Sequence, residues 1–195
     1  MTEMLKNYLG GEWTDGRGAG TPLVDPVRGG EVARVSSEGL DLDRGFAFAR
    51  YKNLGAYCAV ALSVSVEHET GQIRLGRVVA AVDSGQPISP DGIRNQIEGA
   101  MVQSASWTLY EEVRFDRRHT TSTDWSGYPI LRFPAAPESV EVHILPRPGQ
   151  PFLGTGEAGH GPMAAAIANA LWDATGARVR DLPLSAEKVK AAIGV

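Results

Sequence analysis

CAVALSVSVEHETGQIRLGRVVAAV, residues Cys58–Val82, decides the fold. Its first half alternates, with Cys58, Val60, Leu62, Val64 and Val66 set against Ala59, Ala61, Ser63, Ser65 and Glu67. A period of two marks a strand with one buried face. His68–Gly71 is the turn, and Ile73–Val82 is a second strand that ends in the unbroken apolar run VVAAV. The pair predicts an antiparallel hairpin with one end deep in a core.

Downstream, a helix starts cleanly. Ser89 is a good N-cap, Pro90 suits the first helical position and Asp91 complements the dipole. Ile93, Ile97, Ala100, Met101, Ala105 and Leu109 form its apolar stripe. Gly92 and Gly99 weaken this helix, which suits a face against which something packs closely. Residues 114–137 look irregular, and Val140, Val142 and Ile144 alternate as another strand. Met163–Thr175 is so apolar that it predicts a helix buried on all sides, closed by Gly176 at C′. Arg178–Leu182 is expected to add a last short strand. The expected fold is α+β, a twisted mixed or antiparallel sheet with two main helices. Residues 1–45, rich in glycine and charge, form a separate strand-rich arm with turns at GGEW and VRGGEV and a small hairpin of Val24 with Val32–Val35. The domain proper spans 46–195.

Bulk properties narrow the function. The 195 residues are 43% hydrophobic and 22% charged, enough for one sizeable core. A net charge of −4 argues against nucleic-acid binding, which favours a basic stripe. No apolar run is long enough to span a membrane and no secretory leader is evident, so a cytoplasmic protein is expected. The single cysteine, Cys58, cannot hold an iron–sulfur cluster or a zinc site, so no cluster is expected in this chain. His68, His119, His143 and His160 lack metal-ligand spacing, and no metal-binding residue is assigned. Without a G-x-S-x-G elbow, hydrolase chemistry has no support.

The chemistry concentrates in GTGEAGHG, Gly154–Gly161, a glycine-dense turn before the last helix. It matches G-x-G-x-x-G, but Pro146, Pro148 and Pro151 break the strand a dinucleotide fold needs ahead of it, and Asp173 falls inside the helix. Glu157 is then either an acidic cap on that helix or a general base in a glycine-lined pocket. Gln96 is either a solvated boundary residue or an amide offering donor and acceptor to a heterocyclic ligand.

Several segments in a common order settle which family these patterns suit. GFAFARYKNLGAYCAVALSVSV, RVVAAVDSGQPISPDGIRNQIEGA, YPILRFPAAP, GTGEAG and AIANALWDATGARVRDLPL resemble the C-terminal end of the molybdopterin-binding large subunit of the xanthine oxidase/aldehyde oxidase family, in its isoquinoline oxidoreductase form. That resemblance implies hydroxylation of an aldehyde or N-heterocycle with water as oxygen source, on a molybdopterin cofactor. It implies Glu157 as the base that deprotonates a molybdenum-bound hydroxyl, Gln96 as a pterin contact, and Gly156 and Ala158 as backbone walls near the metal. Electrons would leave to iron–sulfur clusters on a partner. The glycine-rich segments that complete the grip in the family have no counterpart here, and Ser84 and Ser89 stand where relatives often carry cysteine and asparagine. The chain therefore resembles a piece that works only with the remaining large-subunit segments and an iron–sulfur subunit. The alternative is a cofactor-free remnant that folds and self-associates. Exposed former core surface makes a homo-oligomer the expectation either way. By contrast, LKNYLGGEW and LVDPVRGGEVARVSSEGLDL resemble the N-terminal arm of aldehyde dehydrogenases, so the chain reads as two fragments joined near Leu42–Gly45.

Overall fold

The computed structural model describes residues 44–195 in full and, before them, the backbone of five short strands. Two compact units result, Met1–Leu42 and Asp43–Val195. In the first, β5 (Glu31–Val35) pairs in parallel with β1 (Met4–Leu5) and antiparallel with β4 (Thr21–Val24), while β2 (Asn7–Leu9) pairs antiparallel with β3 (Glu12–Thr14). The hairpin expected from Val24 and Val32–Val35 is the β4–β5 pair. The expected turn residues Gly10, Gly11 and Val27–Gly30 and the join at Leu42 lie outside the described residues.

The second unit is built on a four-stranded sheet in the order β6–β7–β8–β9, with β6 (Arg44–Arg50), β7 (Tyr57–Glu67), β8 (Gln72–Asp83) and β9 (Ser139–Ile144). The first three strands run antiparallel and β9 lies parallel to β8, so the sheet is mixed. The β7–β8 hairpin is the one read from Cys58–Val82. Cys58, Val60, Leu62 and Val64 face inward against Val78, Ala80 and Val82. Its register shifts where Leu62 pairs with Val78 but Val64 pairs with Leu75. Gly76 and Arg77 thus oppose the single residue Ser63, a bulge that keeps both halves of β8 facing the core. Bare backbone at residue 76 suits the bulge, because a Cβ there would lie 2.5 Å from the Ser63 hydroxyl oxygen.

A parallel β8–β9 pair demands a long crossover, and α1 (Pro90–Leu109) is its main element. The Ser89 hydroxyl caps it by accepting from the Gly92 N–H at 3.3 Å. Ile97, Met101 and Ala105 are fully buried, and Ile93, Ala100 and Leu109 complete the expected stripe. Nothing in this unit packs on Gly99, whose absent Cβ would meet no atom within 4 Å. The second helix, α2 (His160–Thr175), starts three residues earlier than the apolar pattern suggests, and it closes on left-handed Gly176. Its burial is one-sided. Met163, Ala166, Ile167, Ala170 and Leu171 face the core, while Trp172 and Ala165 face outward. Alanine serves either face of a helix, so composition alone overstated the burial. A short α3 (Ala186–Ile193), capped by Ser185 and anchored by buried Val189, follows. Arg178–Leu182 forms no strand.

β6 went unread because its pattern is inverted. Gly45 and the alanines face α2, and Phe46 and Phe48 point away at 46% and 45% exposure. The inward positions are small because α2 sits on them: a Cβ on Gly45 would fall 1.7 Å from the Ala166 carbonyl oxygen. Asn169 Nδ2 donates to the Phe46 carbonyl at 3.0 Å, and the Asp173 carboxylate accepts from the Arg44 N–H at 3.1 Å.

Two outcomes follow. Gly45→Ala forces backbone apart, so it costs more than about 3 kcal/mol and lowers the thermal midpoint by about 6 °C or more, read by circular dichroism. Burial pushes the Cys58 thiol from 9.0 up to about 12. Above pH ~9 the unfolded chain releases a proton that the native chain keeps, so stability falls as pH rises toward 12. Urea midpoints from pH 8 to 10 show a decline that Cys58→Ala lessens, and alkylating reagents label the native thiol only after unfolding.

Candidate functional site

The glycine-dense tract is placed by contacts at both of its ends. Before it, the Leu153 N–H donates to the Ser84 carbonyl at 2.8 Å, joining the tract to the end of β8. The two segments approach so closely at Gly85, φ 70°, that a Cβ there would lie 1.9 Å from the Pro151 carbonyl oxygen. After it, α2 packs on α1, where Gly159 leaves room for Met101; a Cβ would stand 2.5 Å from the methionine methyl.

Between these anchors lies a cleft of about 490 Å³. Ser84 and Gln86 line it from the loop after β8, Gly92, Ile93 and Gln96 from the first turns of α1, and Phe152 to Thr155 from the tract. The structure therefore brings Gln96 and the start of the glycine tract, nearly sixty residues apart in sequence, to one site. Gln96 is exposed, and its amide makes no hydrogen bond among the described residues. Ser84 is 1% exposed, and its hydroxyl finds no partner among the described residues. An orphaned buried hydroxyl is uncommon and points to an external partner.

Glu157 stands just outside that lining, exposed on the turn that precedes α2. It does not cap the helix. The N-cap is Gly159, without any side-chain bond, and no acidic residue occupies the first turn. Instead, Glu157 Oε2 accepts from the Tyr51 hydroxyl at 2.7 Å. Ala158 is buried, with its N–H donating to the Thr155 carbonyl at 2.8 Å. Gly156 is exposed. His160 is held away from the cleft by Gln103, 2.9 Å from Nε2, and by the Trp107 ring, 5.0 Å between centroids.

The glycines of the tract divide by cause. Gly159 is packed closely inside the chain, against the movable methyl end of Met101. Gly154 and Gly156 are not: neither has positive φ, and a Cβ on either would meet nothing within 4 Å. Space held open over bare backbone suits close approach by a ligand. Sequence reasoning missed Tyr51, because nothing in spacing signals a bond across 106 residues. Among the described residues no group of three or more His, Cys, Asp or Glu side chains is arranged to hold a metal ion, and no helix is long and apolar enough to cross a membrane.

A mixed sheet with helices on one face carries a cleft where a glycine turn meets a helix N-terminal turn beside an exposed carboxylate, an α+β domain with an open ligand-sized cleft. Residues 36–137, just over half of the chain, match the model of the molybdopterin cofactor-binding domain. The chain is 45% identical over 157 residues to a nicotinate dehydrogenase subunit of Pseudomonas putida, covering 77% of this chain and 13% of that protein. It is 30% identical over 169 residues to the beta subunit of isoquinoline 1-oxidoreductase from Brevundimonas diminuta, covering 80% of this chain and 21% of that protein. The aldehyde oxidoreductase of Desulfovibrio gigas superposes with a TM-score of 0.63 at 28% identity, over 72% of this chain and 16% of that one. The chain belongs to the molybdopterin cofactor-binding domain family of xanthine oxidase-type enzymes. It spans about an eighth to a fifth of the length of these relatives.

The two kinds of glycine make a direct test. Gly159→Ala makes the end of Met101 shift and costs about 1 kcal/mol of stability. Gly156→Ala stays within about 0.5 kcal/mol of the parent chain. Chemical denaturation separates the two.

Proposed function

We propose that this chain is part of a molybdenum hydroxylase that oxidises an aldehyde or an N-heterocycle with water as the oxygen source. It acts in the cytoplasm and is completed by the remaining large-subunit segments and an iron–sulfur subunit. One observation carries the reading. In a chain of the molybdopterin-binding family, backbone left open at Gly154 and Gly156 adjoins a cleft holding the orphaned Ser84 hydroxyl and the unbonded Gln96 amide. The substrate class rests on the names of the relatives, which act on nicotinate, isoquinoline and aldehydes.

The residues present fit the group. Gln96 offers a donor and an acceptor on one amide, and Ser84 offers a hydroxyl, both suited to the mixed polar edge of a pterin. Gly154 and Gly156 admit it close to the main chain. When bound, molybdopterin supplies the two-electron redox chemistry that these side chains lack. Glu157 takes up a proton at its carboxylate, ahead of a helix N-terminus that favours negative charge. Ala158 anchors that turn in the core. Cys58 is buried in the sheet and takes no part in electron transfer, so electrons leave through the partner.

Two further features belong to this reading. Phe46, Phe48, Leu54, Ile88 and Phe152 are largely exposed apolar side chains, as expected of a surface that other polypeptides or a second copy cover. The stretch 1–45, read as an aldehyde dehydrogenase-like arm, overlaps the family match, which begins at residue 36. The competing reading is a cofactor-free remnant that self-associates.

Co-expression with neighbouring genes, followed by molybdenum and pterin analysis, decides between them. Stoichiometric metal supports the hydroxylase, and none even with partners supports the remnant. In the assembled enzyme Glu157→Gln lowers turnover by about 10²–10⁴-fold at unchanged molybdenum content. Full turnover in that variant removes Glu157 from the chemistry.

A further inference from the structure

We propose that Tyr51 is the positioning residue for Glu157, a role that rests on the reading of Glu157 as the base. The Tyr51 hydroxyl donates to Glu157 Oε2 at 2.7 Å. The other carboxylate oxygen has no partner among the described residues and is left free to accept a proton. A glutamate on an exposed turn otherwise distributes itself over several staggered rotamers. One strong, charge-assisted bond from a ring held in place removes most of that freedom.

The turn that carries Tyr51 is strained, and the strain is held by bonds that end at the site. Lys52 and Asn53, at φ 49° and 58°, are the non-glycine residues with positive φ among the described residues. Such conformations cost energy and persist only where the surroundings impose them. The Tyr51 carbonyl accepts from the N–H groups of Leu54 and Gly55 at 3.2 and 2.7 Å, and the Tyr51 N–H donates to the Ala56 carbonyl at 2.9 Å. The Ala56 N–H then donates to the Gly154 carbonyl at 3.0 Å. A Cβ on Gly55 would approach the same oxygen to 2.8 Å, so a side chain there would push the two segments apart. The tyrosine turn thus grips the glycine tract at two points, by backbone at Gly154 and by side chain at Glu157, on either side of Gly156.

A structural role would need only the ring. Tyr51 packs on the core through its aromatic carbons, which phenylalanine would reproduce. Its hydroxyl bonds only the glutamate among the described residues. Lys52 Nζ lies 5.2 Å from the ring centre and contacts its face, away from the hydroxyl.

The test uses the full chain and the assembled enzyme. In the chain labelled with side-chain carboxyl ¹³C-glutamate, the Glu157 resonance is identified by its loss in Glu157→Gln. Tyr51→Phe is expected to move that resonance and leave the others in place, while Tyr57→Phe leaves it unmoved. In the assembled enzyme Tyr51→Phe lowers kcat by about tenfold with KM unchanged. It adds no loss in a Glu157→Gln background, as expected of groups acting through one carboxylate. An unmoved Glu157 resonance in folded Tyr51→Phe chain overturns the proposal. So does an unchanged kcat where Glu157→Gln is inactive. If Glu157→Gln retains full turnover, the base itself is lost and this role falls with it, even when the resonance moves.

Discussion

Close contact between α2 and β6 is the constraint from which the rest of the described structure follows. Backbone meets backbone at Gly45 and Ala166, where even a methyl group would not fit. Asn169 and Asp173 bind the outward groups of the strand, so an edge that would otherwise stand bare is partly covered by the helix. Because α2 is seated there, its first residue, His160, and the turn ahead of it arrive beside the end of β8 and the first turns of α1. The cleft is a by-product of that seating rather than of any single loop.

The site is polar in a restrained way. A buried hydroxyl, one exposed amide, bare backbone and one carboxylate do not make a self-sufficient active centre. On the proposed reading they make one wall of one, and the chain spans 13% of the length of its nicotinate dehydrogenase relative. A fold whose core is complete can still present an incomplete site, because packing closes over a few ångströms while cofactor grip requires groups from several sides.

Much of this was legible beforehand. Alternation in Cys58–Val82 specified the hairpin and its buried face, and the Ser89-Pro90-Asp91 start specified α1. These are local signals, written in period and capping chemistry. β6 was not legible because its large residues face outward, reversing the usual code. The start of α2 was misplaced because glycine and histidine carry little helical preference. α3 went unread although Ala186, Val189 and Ile193 fall at helical spacing behind the Ser185 cap.

Sequence by itself determined the β7–β8 hairpin, the start of α1, the single buried thiol and the family, since periodicity, capping chemistry and ordered motifs are properties of the chain. Only the tertiary structure decided that Gln96 faces the glycine tract across a cleft, that Ser84 is buried without a partner, and that Glu157 is bonded to Tyr51 instead of capping α2. The reason is distance along the chain. A hydrogen bond between residues 51 and 157 exists because two turns are brought together by a strand and a helix between them, and no local pattern encodes that meeting.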